Sequence, residues 1–372
     1  MGGRYNPLMH ILDVKVTPLS VPLREPFVIA SGRVDTTRAA LVEATLQDDR
    51  GRRATGLGES AALPPVTRED QPDLLAAIAA AGAGLRGSAL AALEDVDRLL
   101  AGRLPPGVAR AGLEAAILDG MARLEGVPLY RALGGQAAAP LITDITLSIS
   151  DPERMAASAT QHAQAGFTCF KVKVGRDWRA DCASLRAVAA VVPGARFRLD
   201  ANAGFTAAEA LSLLDTALSD GLTIECYEQP CAAGDLAGMA EVAARAPVPV
   251  VADESFRGPA DLDRLLSARA AGGVNLKLTK LGGPLAALAL GRRARAEGLQ
   301  LMAGAMVETK IGLLAMAHVV TALGGVDWVD LDTAFLLAGD PFTGGWEAQG
   351  PRIRLLDEPG LAVAQNGSTT SP

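Results

Sequence analysis

Short apolar runs recur at regular spacing along the chain after residue 140, and Ala-rich stretches of helical character separate them. Marker residues near the ends of these eight runs are 24 to 28 residues apart, at positions 146, 173, 200, 228, 253, 277, 304 and 330. Eight strand–helix repeats with this period predict a (β/α)8-type barrel. A doubly wound open sheet is the alternative, but it usually carries a glycine-rich turn after its first strand, and "LSISDPERM" has none.

The first part of the chain has a different pattern. Residues 8–60 are predicted to be rich in strands, and the chain from about residue 70 to 135 is predicted to be helical. Strands followed by helices are typical of an α+β unit. We therefore predict four parts: an α+β unit at 1–135, the barrel at 136–345, a segment at about 346–365 that packs back on the first unit, and a disordered tail at 366–372.

Composition narrows the class of protein. The chain has 372 residues, 49% of them hydrophobic, and a net charge of −7. The negative charge argues against nucleic acid or an anionic membrane as a partner, and no apolar run approaches the ~20 residues of a membrane span. The start lacks the pattern of a secretory leader. Since the four cysteines have no metal-site spacing and form no dense disulfide framework, we expect a cytoplasmic protein.

One predicted barrel strand carries two lysines. In "FTCFKVKVGRDW" the apolar residues indicate a buried strand, yet Lys171 and Lys173 lie two residues apart and therefore point to the same face. Buried lysines need partners. Because an adjacent ammonium disfavours the charged form of a lysine, Lys171 is expected to support Lys173 as a general base near neutral pH.

Carboxylates follow on the next three strands. Asp200 lies in "RLDAN", Glu228 in "YEQP" and Asp253 in "ADES", each near the carboxyl end of its strand. These ends meet at the mouth of a barrel, where barrel active sites lie. Three like charges repel unless a cation neutralises them, and oxygen ligands without His or Cys suit Mg²⁺. We predict one Mg²⁺ per subunit, bound by these three residues.

The sixth strand, "NLKLTK", adds Lys277 on the other side of the predicted metal site. Two bases that flank a metal-bound carboxylate suit 1,1-proton transfer. One lysine removes the proton α to the carboxylate, the metal stabilises the enediolate, and the other lysine returns a proton to the opposite face. The residues therefore predict a racemase or epimerase with Lys173 and Lys277 as the catalytic pair.

With these motifs in order, the chain resembles the enolase superfamily, and in particular its muconate-lactonizing-enzyme-like subgroup. The resemblance rests on "KVKVG", "LDAN", "YEQP", "ADES" and "NLKLTK", and it covers nearly the whole chain. Lysine bases with Mg²⁺ are a documented feature of this superfamily. The resemblance implies a modified (β/α)7β-type barrel, a homo-oligomer, and a capping unit whose loop, here about residues 23–35, closes over the substrate.

The predicted eighth strand, "DWVDLDTAFLL", points to a substrate within the subgroup. Asp330 and Asp332 share a face, and they resemble the D-x-D signature of dipeptide epimerases, in which the pair holds the free α-ammonium of the substrate. N-succinyl and N-acylamino acid racemases and o-succinylbenzoate synthases act on substrates without that ammonium. They remain the alternative, and a non-catalytic metal-binding paralogue is a third possibility.

Further residues are expected near the substrate. Epimerases of Ala-Glu carry a basic residue in the capping loop, but here that position falls at Gly32, so the preferred side chain stays open. The remaining candidates are Arg24, Arg33, Thr146, Glu308 and Lys171 for substrate binding, and Asn202 and Glu254 as residues that support the site.

Overall fold

A computed structural model describes residues 8–29, 32–64 and 66–366 of the chain. Its N-terminal unit combines an antiparallel sheet, a separate hairpin and helices. In chain order the strands are β1 (Met9–Leu19), β2 (Pro22–Ile29), β3 (Gly32–Thr36), β4 (Arg38–Asp48), β5 (Arg53–Ala62) and β6 (Ala89–Leu90). The helices are α1 (Gln71–Ala83), α2 (Leu93–Ala101), α3 (Val108–Glu125) and α4 (Leu129–Ala132).

The sheet of this unit packs directly against α3, and small residues make the close approach possible. The strand order is β5-β4-β1-β6. Gly56 and Gly58 share one face of β5, and they lie against Gly112 and Gly120, which are eight residues apart on α3. A Cβ atom at Gly58 would collide with the carbonyl oxygen of Gly112. The glycines therefore let the backbone of the strand lie on the backbone of the helix.

A short strand, β7 (Leu141–Ile142), leads into the barrel. The barrel strands are β8 (Ile145–Leu147), β9 (Cys169–Lys173), β10 (Arg196–Asp200), β11 (Thr223–Glu228), β12 (Val250–Ala252), β13 (Gly273–Leu276), β14 (Gln300–Ala303) and β15 (Trp328–Val329). Helices alternate with them: α5 (Pro152–Gln164), α6 (Trp178–Val191), α7 (Ala207–Ser219), α8 (Leu236–Arg245), α9 (Pro259–Ala268), α10 (Leu278–Leu281), α11 (Pro284–Ala296), α12 (Lys310–Ala322) and α13 (Thr333–Leu336).

The eight barrel strands are parallel and follow one another in chain order from β8 to β15. The two ends of the sheet meet where Thr143 pairs with Val329, and the Leu331 N–H donates to Thr143 Oγ1 at 2.9 Å. Seven strand–helix units precede β15, and the helix that follows β15 in the described chain, α13, has only four residues. The predicted (β/α)7β-type barrel is confirmed, and the doubly wound alternative is wrong.

The chain returns to the N-terminal unit after the barrel. Its last strands are β16 (Phe342–Gly344), β17 (Trp346–Gln349), β18 (Arg352–Leu355) and β19 (Val363–Gln365). The Leu361 N–H donates to Asp119 Oδ1 at 2.6 Å, and Arg123 Nη2 donates to the Val363 carbonyl at 2.9 Å. Asp119 and Arg123 both belong to α3, so this segment packs on α3. Most of the predicted tail, 367–372, lies outside the described residues.

The segment predicted as a capping loop is an antiparallel hairpin, formed by β2 and β3. It lies over the carboxyl ends of the barrel strands, where the Ile149 N–H donates to the Val28 carbonyl at 3.1 Å and Arg176 Nη2 donates to the Ile29 carbonyl at 2.9 Å. The hairpin therefore covers the barrel mouth. In the part of the chain that the structure describes, none of the helices combines the length and apolar character needed to cross a bilayer.

Candidate active site

Charged side chains from six barrel strands and the segments that follow them converge under the hairpin. They surround a central cavity with a free volume of about 40 Å³. The N-terminal unit closes this cavity with apolar side chains, namely Phe27, Ile29, Leu63 and Val66. The barrel contributes its charged wall, which includes Lys171, Lys173, Asp253, Lys277, Asp330 and Asp332. A small, largely desolvated site of this kind strengthens every electrostatic interaction within it.

Lys171 is the most highly connected cation of the site. Its Nζ lies 2.7 Å from Asp330 Oδ2, 2.7 Å from Glu228 Oε2 and 3.0 Å from Asp200 Oδ2. Burial disfavours its ammonium form, but the three carboxylates outweigh burial and raise the pKa of Lys171 well above its ordinary value. Lys171 therefore stays charged and joins the carboxylates of β10 and β11 to that of the eighth strand.

The two predicted bases project from opposite walls. Lys173 lies at the end of β9, and Lys277 directly follows β13, four strands further around an eight-stranded barrel. Lys173 Nζ donates to Asp200 Oδ2 at 2.6 Å and lies 5.8 Å from the centre of the Phe27 ring. Lys277 Nζ donates to Asp253 Oδ2 at 2.8 Å. Both line the central cavity, so a bound molecule there would lie between them.

The three predicted metal ligands are fully or almost fully buried. Asp200 and Asp253 are held by lysines, whose charges outweigh burial and lower the pKa of both carboxyls. Glu228 differs from them. Lys171 Nζ forms an ion pair with its Oε2 at 2.7 Å, but this oxygen accepts no hydrogen bond. Burial and the charge of Asp200 raise the pKa of Glu228 to about 7.

A second oxygen near Glu228 is in the same situation. Glu254 Oε2 is buried without a donor, and burial together with Asp253 raises the pKa of Glu254 to about 7. Buried oxygens without donors and an excess of carboxyls are what a bound divalent cation would satisfy. Because their ligand atoms would all be carboxylate oxygens, Asp200, Glu228 and Asp253 fit Mg²⁺.

The Asp330–Asp332 pair adjoins a third carboxylate. In the described part of the chain, Asp144, Asp330 and Asp332 are the acidic residues whose oxygens all lie within 4.8 Å of one another. Asp332 Oδ2 accepts from the Thr146 N–H at 2.5 Å, and burial with the charge of Asp330 raises the pKa of Asp332 to about 6. Burial acts in the same direction on Asp330, but Lys171 outweighs it and lowers that pKa.

Asn202 and Glu254, the two residues expected to support the site, are joined by a hydrogen bond. The Asn202 N–H donates to Asp200 Oδ1 at 3.0 Å, and Asn202 Nδ2 donates to Glu254 Oε1 at 3.2 Å. Asn202 has a positive φ of 43°, an uncommon backbone conformation that asparagine tolerates better than most residues. Asn202 therefore bridges the side chains of Asp200 and Glu254.

Other expected substrate contacts lie away from the charged wall. Arg24 and Arg33 line a side chamber of about 250 Å³ beside the central cavity, and Thr146 and Phe27 line both spaces. Arg24 Nε donates to the Leu337 carbonyl at 2.8 Å, and Arg33 pairs with Asp35 on the hairpin at 2.9 Å. These arginines are thus held at the hairpin rather than beside the lysines.

Glu308 is turned away from the central cavity, whose wall at this point consists of Ala305, Met306 and Val307. Glu308 Oε1 accepts from the Met306 N–H at 2.9 Å. Burial and the charge of Glu59 raise the pKa of Glu308 to about 8. The expectation that Glu308 lines the substrate cavity is therefore not met by the structure, in which it braces the loop that does.

Several residues that matter to the site escaped the sequence analysis. Gln229 Oε1 accepts from the N–H groups of Asp253 at 2.9 Å and Ser255 at 3.0 Å. Lys280 contacts the Asp253 carboxylate and donates to the Asp253 carbonyl at 2.7 Å. Both occur in motifs already singled out, Gln229 directly after Glu228 and Lys280 three residues after Lys277, and these adjacencies were the available signal.

Comparison with known proteins places this geometry in context. Residues 154–368 match the family model described as "Enolase C-terminal domain-like". The chain is 36% identical to the L-Ala-D/L-Glu epimerase of Bacillus subtilis (strain 168), over 95% of this chain and 97% of the relative. It is 34% identical to the hydrophobic dipeptide epimerase of Citrifermentans bemidjiense, over 95% of this chain and 97% of that protein.

A solved structure has the same fold. The dipeptide epimerase from Enterococcus faecalis V583, crystallised with Mg and the dipeptide L-Leu-L-Tyr, superposes with a TM-score of 0.88 at 31% identity. The match covers 96% of this chain and 100% of that structure. Since the relatives are named for different dipeptides, their names do not specify one side chain.

Proposed function

The chain belongs to the enolase superfamily, and we propose that within it the protein is a Mg²⁺-dependent dipeptide epimerase, an isomerase that inverts the α-carbon of the C-terminal residue of a dipeptide. One observation carries this proposal. Lys173 and Lys277 face one cavity from strands that are four positions apart in the barrel. The buried pair Asp330 and Asp332 also lines this cavity. This arrangement supplies two bases and a receptor for one positive charge.

The lysines exchange a proton with the substrate. The lysine that is present as the neutral amine takes the proton from the α-carbon, and the electron pair of that C–H bond passes into the adjacent carboxylate group. The lysine on the opposite wall, present as the ammonium, donates its proton to the other face of the carbon. The centre is inverted, no atom is gained or lost, and the two lysines exchange roles in the reverse reaction.

Asp200, Glu228 and Asp253 would hold the metal. When bound, Mg²⁺ supplies positive charge that stabilises the negative charge that develops on the substrate carboxylate. The residues around it keep their own tasks. Asn202 and Gln229 orient the carboxylate of Asp200 and the backbone of Asp253, and Lys171 compensates the excess negative charge on the side of Asp330.

Asp330 and Asp332 would bind the α-ammonium of the dipeptide. A hydrogen-bonded buried charge pair of this kind is strong, and Lys171, the cation that contacts Asp330, is shared with Asp200 and Glu228. This is why a substrate with a free ammonium fits the site better than an N-succinyl or N-acylamino acid. Thr146 supports the pair through its backbone N–H, and the hairpin with Arg24 and Arg33 borders the space for substrate side chains.

We also propose a cellular location and an assembly. The four cysteines of the described chain are free, which accords with a reducing compartment, and we propose the cytoplasm. A homo-oligomer is proposed from the family resemblance, and size-exclusion chromatography with light scattering measures it.

Deuterium exchange tests the proposed activity. The protein is incubated in D₂O with Mg²⁺ and pooled L,L-dipeptides, and mass spectrometry follows each dipeptide. We expect at least one dipeptide to gain one deuteron, because the returned proton comes from a lysine that has equilibrated with solvent. If N-succinyl amino acids gain a deuteron and no dipeptide does, the protein is the alternative racemase and the proposal is wrong.

A further inference from the structure

Asp144 lies in the barrel, next to the pair that would bind the ammonium. It precedes β8 and is fully buried, and one of its oxygens lies within 4.8 Å of one oxygen of Asp330 and one of Asp332. Asp144 is two residues before Thr146, so the two side chains point to the same face of the strand. Thr146 lines the central cavity. Asp144 therefore lies below Thr146, towards the amino-terminal end of the barrel.

In each of the three carboxylates one oxygen is engaged. Asp144 Oδ2 accepts from Arg198 Nη1 at 2.8 Å, Asp330 Oδ2 from Lys171 Nζ at 2.7 Å, and Asp332 Oδ2 from the Thr146 N–H at 2.5 Å. The other oxygen of Asp144, Oδ1, is buried and has no hydrogen-bond donor at all. A buried carboxylate oxygen in this state is costly unless a cation or a donor meets it.

The charge of the cluster is only partly compensated. Two cations touch it, and both are shared with other carboxylates: Arg198 with Glu225 at 2.8 Å, and Lys171 with Asp200 and Glu228. When all three carboxyl groups are ionised, the two shared cations leave an excess of negative charge that one further positive charge would balance.

The spacing admits a tetrahedral ammonium. Hydrogen bonds of about 2.8 Å from one ammonium nitrogen hold three acceptors roughly 4.6 Å apart, inside the observed limit. A Mg²⁺ ion would draw its oxygens to roughly 3 Å from one another, because its bonds are only about 2.1 Å long. The limit alone allows either ion, but the two cations already present favour the single charge of an ammonium.

We propose that Asp144 is the third carboxylate of the ammonium pocket, where it meets the substrate's free α-ammonium together with Asp330 and Asp332. The inference rests on the proposed function, since it needs a dipeptide as substrate. It makes Asp144 a specificity-determining residue, which favours dipeptides with a free amino terminus over their N-acylated forms.

Calorimetric titration of the Asp144→Asn variant tests this. The ligands are a dipeptide that exchanges deuterium with the wild type, the N-acetyl derivative of that dipeptide, and Mg²⁺ alone. We expect the Kd of the dipeptide to rise by about 10- to 100-fold, the loss typical of a hydrogen bond to a charged group. The Kd values of the N-acetyl derivative and of Mg²⁺ should stay within about twofold of the wild type.

Glu225→Gln is the matched control. It makes the same change from carboxylate to amide on a second partner of Arg198, but Glu225 is not part of the cluster. Its dipeptide affinity should equal that of the wild type. Unchanged dipeptide affinity in Asp144→Asn overturns the proposal, and so does a selective loss of Mg²⁺ affinity, which would make Asp144 a metal ligand.

A crystal structure of the wild-type complex provides a test that does not depend on a variant folding. The proposal requires Asp144 Oδ1 within about 3.2 Å of the substrate nitrogen, and a longer distance overturns it. The two hypotheses fail differently. If no dipeptide binds the wild type, the proposed function fails and takes this inference with it. If dipeptides bind and are epimerised but Asp144→Asn binds them normally, only the inference fails.

Discussion

Glu59 of the N-terminal unit caps a barrel helix, and the N-cap residue of that helix, Thr309, lies 250 residues later in the chain. Its carboxylate accepts from the Thr309 N–H at 2.9 and 3.0 Å and from Thr309 Oγ1 at 2.6 Å. It also accepts from the Gly312 N–H at 3.0 Å. Thr309 is the N-cap of α12, and its own side chain does not cap that helix. Glu59 replaces the missing cap and ties the N-terminal unit to the loop that carries Met306 and Val307.

We expect Glu59→Gln to destabilise the protein. The amide places N–H groups against the N–H donors of Thr309 and Gly312, so one of these buried donors loses its acceptor. The cost should be about 1–3 kcal/mol in the free energy of unfolding, measured by urea denaturation. KM should rise more than kcat falls, because the loop is a wall of the cavity and is remote from the reacting carbon.

Glu43→Gln is the control for Glu59→Gln. Glu43 lies on the neighbouring strand β4 and pairs with the exposed Lys15 at 3.0 Å, so its loss should change the stability by less than about 0.5 kcal/mol. Equal stability of the two variants would contradict the capping role of Glu59.

Lys173→Ala and Lys277→Ala should each reduce epimerisation by at least about 10³-fold, since each removes one of two positioned proton carriers. Chiral chromatography of the products measures this loss. Single-epimer exchange in D₂O should persist in one variant for one epimer of the dipeptide, because the remaining lysine can still remove and return a proton on its own face.

Lys310→Ala provides the matched lysine control. Lys310 is largely buried, but it pairs with Asp340 at 2.7 Å and does not line the central cavity. Its epimerase activity should remain near that of the wild type. Full activity in both Lys173→Ala and Lys277→Ala would rule out a two-base mechanism.

Different carboxylates should determine the affinity for Mg²⁺ and the affinity for the dipeptide. We expect Glu228→Gln to weaken Mg²⁺ binding by at least about tenfold in a calorimetric titration, because a ligand charge is lost. Asp332→Asn should leave Mg²⁺ affinity nearly intact and weaken the dipeptide instead. Asp220→Asn, at an exposed pair with Arg186, should change neither affinity. A loss of Mg²⁺ affinity in Asp332→Asn but not in Glu228→Gln would move the metal to the other carboxylate group.

Glu308 should make stability fall as pH rises. Its pKa is about 8 in the folded protein against 4.5 as a free side chain, so the folded state binds more protons between these values. Unfolding therefore becomes easier as pH rises from about 4.5 to about 8, and little further change is expected above that range. Glu308→Gln removes this cost in the free energy of unfolding, which is on the order of 5 kcal/mol at high pH.

Thermal melting at pH 6 and pH 9 measures the effect. The melting temperature of Glu308→Gln should already exceed that of the wild type at pH 6, and the difference should be larger at pH 9. Glu347→Gln, which changes an exposed carboxylate paired with Arg354, should follow the wild type at both values. A melting difference between Glu308→Gln and the wild type that is the same at both pH values would refute a raised pKa.

The sequence alone determined the barrel and much of the site. Alternation with a period of two placed Lys171 and Lys173 on one face, and the spacing of the strand ends placed Asp200, Glu228, Asp253 and Lys277 around one mouth. These features depend on local geometry, because the direction of a side chain follows from its position in a strand and parallel strands share one carboxyl end.

Tertiary structure decided which groups meet. Lys171 contacts Asp330 only because the barrel closes and brings the eighth strand beside β8 and β9. The same closure adds Asp144 to Asp330 and Asp332. Glu59 and Thr309 are brought together by the docking of the N-terminal unit. The partners of a buried charge are chosen by packing across the whole chain, and no local pattern in the sequence encodes that choice.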